Sequence, residues 1–197
     1  MADQHQQNLG NEQDLNNAIG GAIAWWNQLE DNLGHVFCAT FGGINHPVAR
    51  NAYLAAGNFT PRFNMVHAAM LSARLDKANL DKWDALYKRI KDKSQIRNKL
   101  IHFSRVAIPD KAGNHVSYVV PNFWKLEEFG KAMAGKGVRW NWVQINKFGQ
   151  EFGKIAVELV IFAGEIEDYV CEHPIEFYPG TPKGMQERLD KQAQAQG

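Results

Sequence analysis

The strictest pattern in the chain lies toward its C-terminal end, where Phe148, Phe152, Ile155, Leu159, Phe162, Ile166 and Tyr169 follow one another at four- and three-residue steps. That spacing holds all seven side chains on one face of a single helix of about six turns, which Pro174 stops. So long an apolar stripe must be covered, and helices are what cover it. Gly149 and Gly153, four residues apart on the same segment, predict that one of those helices crosses closely.

The covering helices are legible upstream. A helix is predicted from Asp14, with Ile19, Ala22, Ile23, Trp26, Leu29, Leu33, Val36 and Phe37 inward and an end near Phe41-Gly42-Gly43. Gly20 and Gly21 weaken its first turns by about 1 kcal/mol each, which points to close approach of another backbone. Trp25 and Trp26 read as core plus partial cover rather than as a base-stacking pair. A short helix follows, with Pro47 in its first turn and Gly57 just past its end. Thr60-Pro61 forms the N-cap and first position of a third helix that turns Phe63, Val66, Met70 and Leu75 inward. His67 lies beside that face as a satisfied boundary histidine. Asn79 is the expected N-cap of a fourth helix, whose stripe begins Trp83, Leu86, Tyr87, Ile90.

After Ser104 the period changes from helix to strand. Two short strands within about residues 105–120 flank a five-residue turn containing Gly113, and Pro109 and Pro121 bound them. A hairpin alone is marginal, so it packs on the helices or on a second subunit. Asn122 caps a short helix through Phe129, and Gly130, Gly135 and Gly137 mark the connection onward. The expected fold class is all-α, a helical bundle with an inserted β-hairpin. Residues 13–173 form its one domain. The Gln/Asn-rich residues 1–12 read as a disordered lead-in, and residues 174–197 as an arm with Phe177 and Tyr178 followed by a disordered polar tail.

Composition narrows the function classes. The chain is 45% apolar and 22% charged with a net charge of +1, so nothing draws it as a whole toward nucleic acid or membrane, and a polyanion site must be a local patch. Cys38 and Cys171 are too far apart for a disulfide framework or zinc spacing. His35 with Cys38, and Cys171 with His173, lack the spacing of a metal site, so neither metal nor cofactor is expected. No phosphate loop, nucleophile elbow or Cys-His signature is present. The first residues lack the features of a signal peptide, and the apolar run from Val157 to Gly164 contains Glu158 and is too short to span a bilayer. A cytoplasmic protein without a membrane partner is expected.

The fourth helix carries the anomaly. Past Ile90 its inward face turns polar, with Ser94, Arg97 and Asn98 within about 60° of the stripe centre and His102 at its edge, while Ile101 continues the stripe. A cation on an inward face is costly unless something pairs with it. Either an intrachain carboxylate such as Glu158 or Glu165 pairs with Arg97 while His102 caps the helix, or the stretch is a functional site. Lys99 and Arg105 adjoin it and make the local balance positive.

Arg97-Asn98-Lys99-Leu100-Ile101-His102 resembles the signature of the HEPN superfamily (higher eukaryotes and prokaryotes nucleotide-binding domain), an arginine, four to six residues, then a histidine. The commonest form has a polar residue, often asparagine, directly after the arginine. Members are compact helical bundles with the motif on a long helix. The resemblance spans residues 14–173, and its specific part is these six residues. Many catalytic members have an aromatic, often tyrosine, two positions after the histidine, where this chain has Ser104 after Phe103. Some use a polar or acidic residue one or two turns earlier, where this helix offers Asp92 or Ser94.

The resemblance implies a metal-independent endoribonuclease in which the ribose 2′-OH attacks the adjacent phosphate and leaves a 2′,3′-cyclic phosphate. His102 would be general base or acid, Arg97 would stabilise the phosphate, and Asn98 would fix the ring or bind a phosphate oxygen. Lys99, Arg105 and Ser94 would contact the RNA. It further implies a homodimer with a composite site, use as a toxin or antiviral effector, and a nucleotidyltransferase-like antitoxin as partner. The alternative within the family is a non-catalytic RNA- or protein-binding regulatory module. An unrelated helical bundle is the third reading.

Overall fold

In a computed structural model that describes residues 12–44, 46–111 and 113–173, each apolar stripe folds as a helix. In chain order the elements are α1 (Glu12–Ala39), α2 (Pro47–Ala55), α3 (Phe59–Ser72), α4 (Lys77–His102), β1 (Ser104–Pro109), β2 (His115–Val120), α5 (Leu126–Met133) and α6 (Trp142–Glu172). The described residues are thus mostly helical, with one antiparallel hairpin. The expected lead-in, apart from Glu12, and the C-terminal arm and tail lie outside them.

Three long helices make the core. α6 buries Ile145, Phe152, Ile155, Leu159, Phe162 and Ile166, mainly against α1, which buries Leu15, Ala22, Trp26, Leu29, Leu33 and Val36. The crossing is close where the glycines stand. A Cβ on Gly149 would lie 3.2 Å from Ala22 Cα, and one on Gly153 would lie 3.1 Å from the Trp25 ring. Buried Asn32 ties the pair further along by donating to the Ala156 carbonyl at 2.7 Å. These contacts advance along both helices together, so α1 and α6 run in the same direction. α4 returns antiparallel to both, with Lys82 on Glu165 at 2.9 Å and, nearer its C-terminus, Arg89 on Glu158. Gly20 and Gly21 do not mark a backbone approach, because a Cβ on either meets nothing within 4 Å. They face outward, where small size serves no contact.

Several helix starts differ from the expected ones. α3 begins at Phe59 behind Asn58, two residues before the expected Thr60-Pro61 start. α4 is capped by Asp76, whose carboxylate accepts the Asn79 N–H at 2.8 Å. Either residue type can cap, and the earlier one wins because nothing in Lys77-Ala78 resists helix. Asn122 does not start a helix at all. Its side chain accepts the Trp124 N–H at 3.0 Å in a local turn, which delays α5 to Leu126 and carries it to Met133, past Phe129. α6 starts at Trp142, before its apolar stripe, behind a reciprocal capping box of Asn141 and Gln144.

The hairpin pairs Ser104 with Val120 through Pro109 with His115. It packs on the chain's own helices. Val119 exchanges both backbone hydrogen bonds with Trp140, at 2.8 and 2.9 Å, and the Trp140 ring lies between Phe103 and Phe148. Hairpin and α5 therefore sit at the end where α4 finishes and where α1 and α6 begin.

The helix crossing yields a stability test. Gly149→Val drives a branched side chain into the Ala22 backbone and should cost about 1–3 kcal/mol. Gly21→Ala meets nothing and should add up to about 1 kcal/mol of helix propensity. Thermal unfolding followed by circular dichroism should shift in opposite directions, by about 2–4 °C per kcal/mol.

Candidate functional site

The buried side of α4 is Asn79, Trp83, Leu86, Ile90 and Leu100. The expected stripe ends instead through Ser94 and Ile101, but Ile101 is 46% exposed while Leu100 is buried. Arg97 belongs to the stripe in either register, as expected; the difference is confined to the last turn, where Leu100 and not Ile101 is buried.

Arg97 is consequently held inside the chain. Its Nη2 lies 3.5 Å from Glu30 Oε1, its guanidinium sits over the Trp26 ring at 5.9 Å, and its Nη1 donates to Asn98 Oδ1 at 3.1 Å. The partner is a carboxylate of α1 and not Glu158 or Glu165, which α4 engages through Arg89 and Lys82 from positions facing α6. Glu30 serves a wider cluster. It accepts the Trp26 indole N–H at 2.5 Å and faces Arg62 Nη1 at 3.9 Å. Arg62 lies over the Tyr53 ring at 5.3 Å and donates to the Leu54 carbonyl at 3.2 Å. Tyr53 donates its hydroxyl to the Glu30 main-chain carbonyl at 2.5 Å. Burial raises the Tyr53 pKa well above the ordinary range, and the nearby Glu30 charge adds to it. The Nε atoms of Arg62 and Arg97 are buried with no hydrogen-bond partner. Neither Glu30 nor Arg62 stands out in the sequence, although an acid one turn after Trp26, on the flank of an apolar stripe, is a usable signal.

His102 faces elsewhere. Residues five apart on a helix are separated by about 140°, so Arg97 and His102 do not converge within one chain. His102 and Asn98 are exposed. With Lys99, Phe103, Asn122, Trp124 and Lys125 they line an open cleft of about 450 Å³. Phe103 leaves the helix in extended conformation, its N–H closing the helix end on the Lys99 carbonyl at 2.9 Å and its ring stacked on Trp140 at 5.6 Å. Lys99 Nζ lies 6.0 Å from the Trp140 ring, and Lys125 Nζ lies 3.7 Å from Glu128. The structure thus brings together three of the six expected site residues, Asn98, Lys99 and His102. Ser94 is outside the cleft, its hydroxyl donating back to the Lys91 carbonyl at 2.7 Å as helix serines do. Arg105, on the outer side of β1, donates to Asn16 of α1. Asn122, Trp124 and Lys125 are not among the expected site residues. A loop carrying adjacent aromatics just after a strand is their only signal in the sequence.

Other histidines have structural partners. His67 accepts the Trp83 indole N–H at 3.0 Å and stacks on Tyr87, and His46 Nδ1 caps α2 by accepting from the Ala49 N–H at 3.2 Å. Among the described residues no group of three or more His, Cys, Asp and Glu side chains is placed to hold a metal ion. No described helix is long and apolar enough to cross a membrane. Compared with known proteins, the chain matches no family model, no curated protein and no solved structure.

The cluster makes two predictions. Glu30→Ala strands two half-buried guanidiniums and should cost about 2–4 kcal/mol, whereas Glu30→Gln, which keeps acceptor and volume, should cost less; urea unfolding measures both. Because the folded Tyr53 hydroxyl ionises above its ordinary value of 10.0, its contribution is full below about pH 10 and is lost as pH rises toward the folded pKa. Stability measured across that range should fall, and Tyr53→Phe should flatten the fall while lowering the neutral-pH baseline by about 1 kcal/mol for the lost hydrogen bond. The raised pKa values of Lys77 and Lys88 leave a residual slope of the same sign.

Proposed function

We propose that this protein is an HEPN-like ribonuclease that cleaves RNA without a metal ion at the Asn98–His102 cleft. The observation that carries this is the convergence of the motif's own Asn98, Lys99 and His102 with Asn122, Trp124 and Lys125 in one open groove. Two ammonium groups and a solvent-facing imidazole suit a phosphodiester substrate. His102 takes the proton of the ribose 2′-OH, the 2′-O–P bond forms, and the P–O5′ bond breaks to leave a 2′,3′-cyclic phosphate. Lys99 and Lys125 neutralise the phosphate. Asn98, with its Oδ1 held by Arg97, presents its amide N–H groups to a phosphate oxygen or to the imidazole. Arg97 in this scheme is a positioning residue rather than a phosphate ligand.

The departing 5′-oxygen needs a proton from a second acid, and a second copy supplies it through its own histidine. A homodimer with a composite site therefore belongs to the proposal. So do a cytoplasmic location and a toxin or antiviral role restrained by a nucleotidyltransferase-like antitoxin. The Arg97–Glu30 pair favours the reading of an unrelated helical bundle, because an arginine engaged by an intrachain carboxylate is not free to bind phosphate. The alternative within the family is a non-catalytic RNA- or protein-binding module.

Incubation with RNA in EDTA decides between them. The wild-type protein should release 2′,3′-cyclic phosphate ends, and His102→Ala should lower the rate by about a hundredfold or more. Equal cleavage by both proteins, or none by either, removes the catalytic role. RNA binding that survives His102→Ala in the absence of cleavage supports the module.

A further inference from the structure

Trp124 is 80% exposed, the most exposed of the large apolar side chains among the described residues, and it stands on the rim of the cleft that holds His102. A solvent-facing indole offers a broad apolar face whose covering by a ligand is favourable. This residue is also held in place. Its main-chain N–H donates to Asn122 Oδ1 at 3.0 Å, and its ring leans on Phe123 with centroids 4.3 Å apart. The turn that fixes it is the one that delays α5, directly after the strand that Trp140 ties to the bundle. A preorganised aromatic loses little conformational entropy when a ligand stacks on it.

The surroundings say what stacks. Lys99, Lys125, Asn98, Asn122 and His102 line the same cleft as Trp124, so an exposed apolar face shares one groove with cations and amides. A protein partner seated on Trp124 would have to desolvate those polar groups. A nucleotide matches it, with a flat base for the indole and a phosphate for the ammonium groups. Bases within a duplex are stacked on their neighbours and cannot offer a face.

We propose that Trp124 is a base-stacking platform that makes the cleft select unpaired nucleotides, in single strands or loops, and that the β1–β2 hairpin serves to deliver this platform beside His102. This rests on RNA being the substrate. Trp124 sets specificity by holding the base next to the scissile phosphate, while His102 acts on the reacting atoms.

The test uses the full chain in a His102→Ala background, with fluorescence anisotropy of a short labelled RNA single strand, the same sequence as a duplex, and the same strand with abasic nucleotides. Adding Trp124→Ala should weaken single-strand binding about 5- to 150-fold, and Trp124→Phe should recover most of it. The abasic strand should bind the Trp124→Ala protein and its parent alike. Unchanged single-strand affinity in Trp124→Ala, or a duplex bound as tightly as the single strand, would overturn the proposal. So would conversion of a dimer to monomers by Trp124→Ala in sedimentation, which would make the indole a subunit contact. Cleavage measured in parallel on proteins retaining His102 separates the two claims. Cleavage that needs His102 but ignores Trp124→Ala in KM and in strand preference sinks the platform and keeps the nuclease. Binding that needs Trp124 without any cleavage keeps the platform and sinks the nuclease.

Discussion

Two helices that run in the same direction and touch through glycines set the terms for everything else in this chain. α1 and α6 meet where Gly149 lies against the Ala22 backbone and Gly153 against the Trp25 ring. Two parallel helices cannot be joined by a short turn, so the chain has to travel back between them. α4 makes that return, antiparallel to both. It pairs its first half with α6 through Lys82 and Arg89, and its second half with α1 through Arg97. The place where α4 ends is thereby decided, and with it the position of His102.

The Glu30 cluster is the polar counterpart of that packing. One carboxylate with little exposure answers two guanidiniums, an indole N–H supports it, and two aromatic rings lie under the cations. Such a group adds less net stability than apolar packing would, because each ion gives up water, but it punishes any slip of α4 along α1. Its effect on the motif is to divide it. Arg97 goes to the interior, Asn98 is gripped by Arg97 yet exposed, and His102 stands in the open. The arginine and the histidine lie on different sides of the helix, and Asn98 is hydrogen-bonded to the first while lining one cleft with the second.

The hairpin and the loop after it complete the exposed side. Val119 and Trp140 tie β2 to the start of α6, and the Asn122 turn then places Trp124 and Lys125 opposite the end of α4. Residues separated by about twenty positions in sequence so come to share a cleft, with rigid elements behind both of its walls. The loop combines the most exposed large apolar side chain among the described residues with a backbone fixed by the Asn122 turn.

Much of the fold is legible in the sequence. The four-three spacing from Phe148 to Ile166 and the stripe from Trp26 to Val36 require amphipathic helices by periodicity alone, and the hairpin follows from two short strand-like runs around the Gly113 turn, bounded by Pro109 and Pro121. The pairing of Gly149 and Gly153 announces a close crossing, because a missing Cβ matters only where another helix arrives. The same logic fails at Gly20 and Gly21, since local composition does not say whether a neighbour is present. The motif from Arg97 to His102 can be read as a string, and periodicity already turns Arg97 inward, but it does not say that Leu100 rather than Ile101 is buried or that Glu30 is the arginine's partner. Only tertiary packing decides both. In the same way Glu30 and Trp124 carry only faint local signals, and Arg62 carries none. Ion pairs and clefts are made by side chains distant in sequence, and it is the tertiary fold that sets their separations.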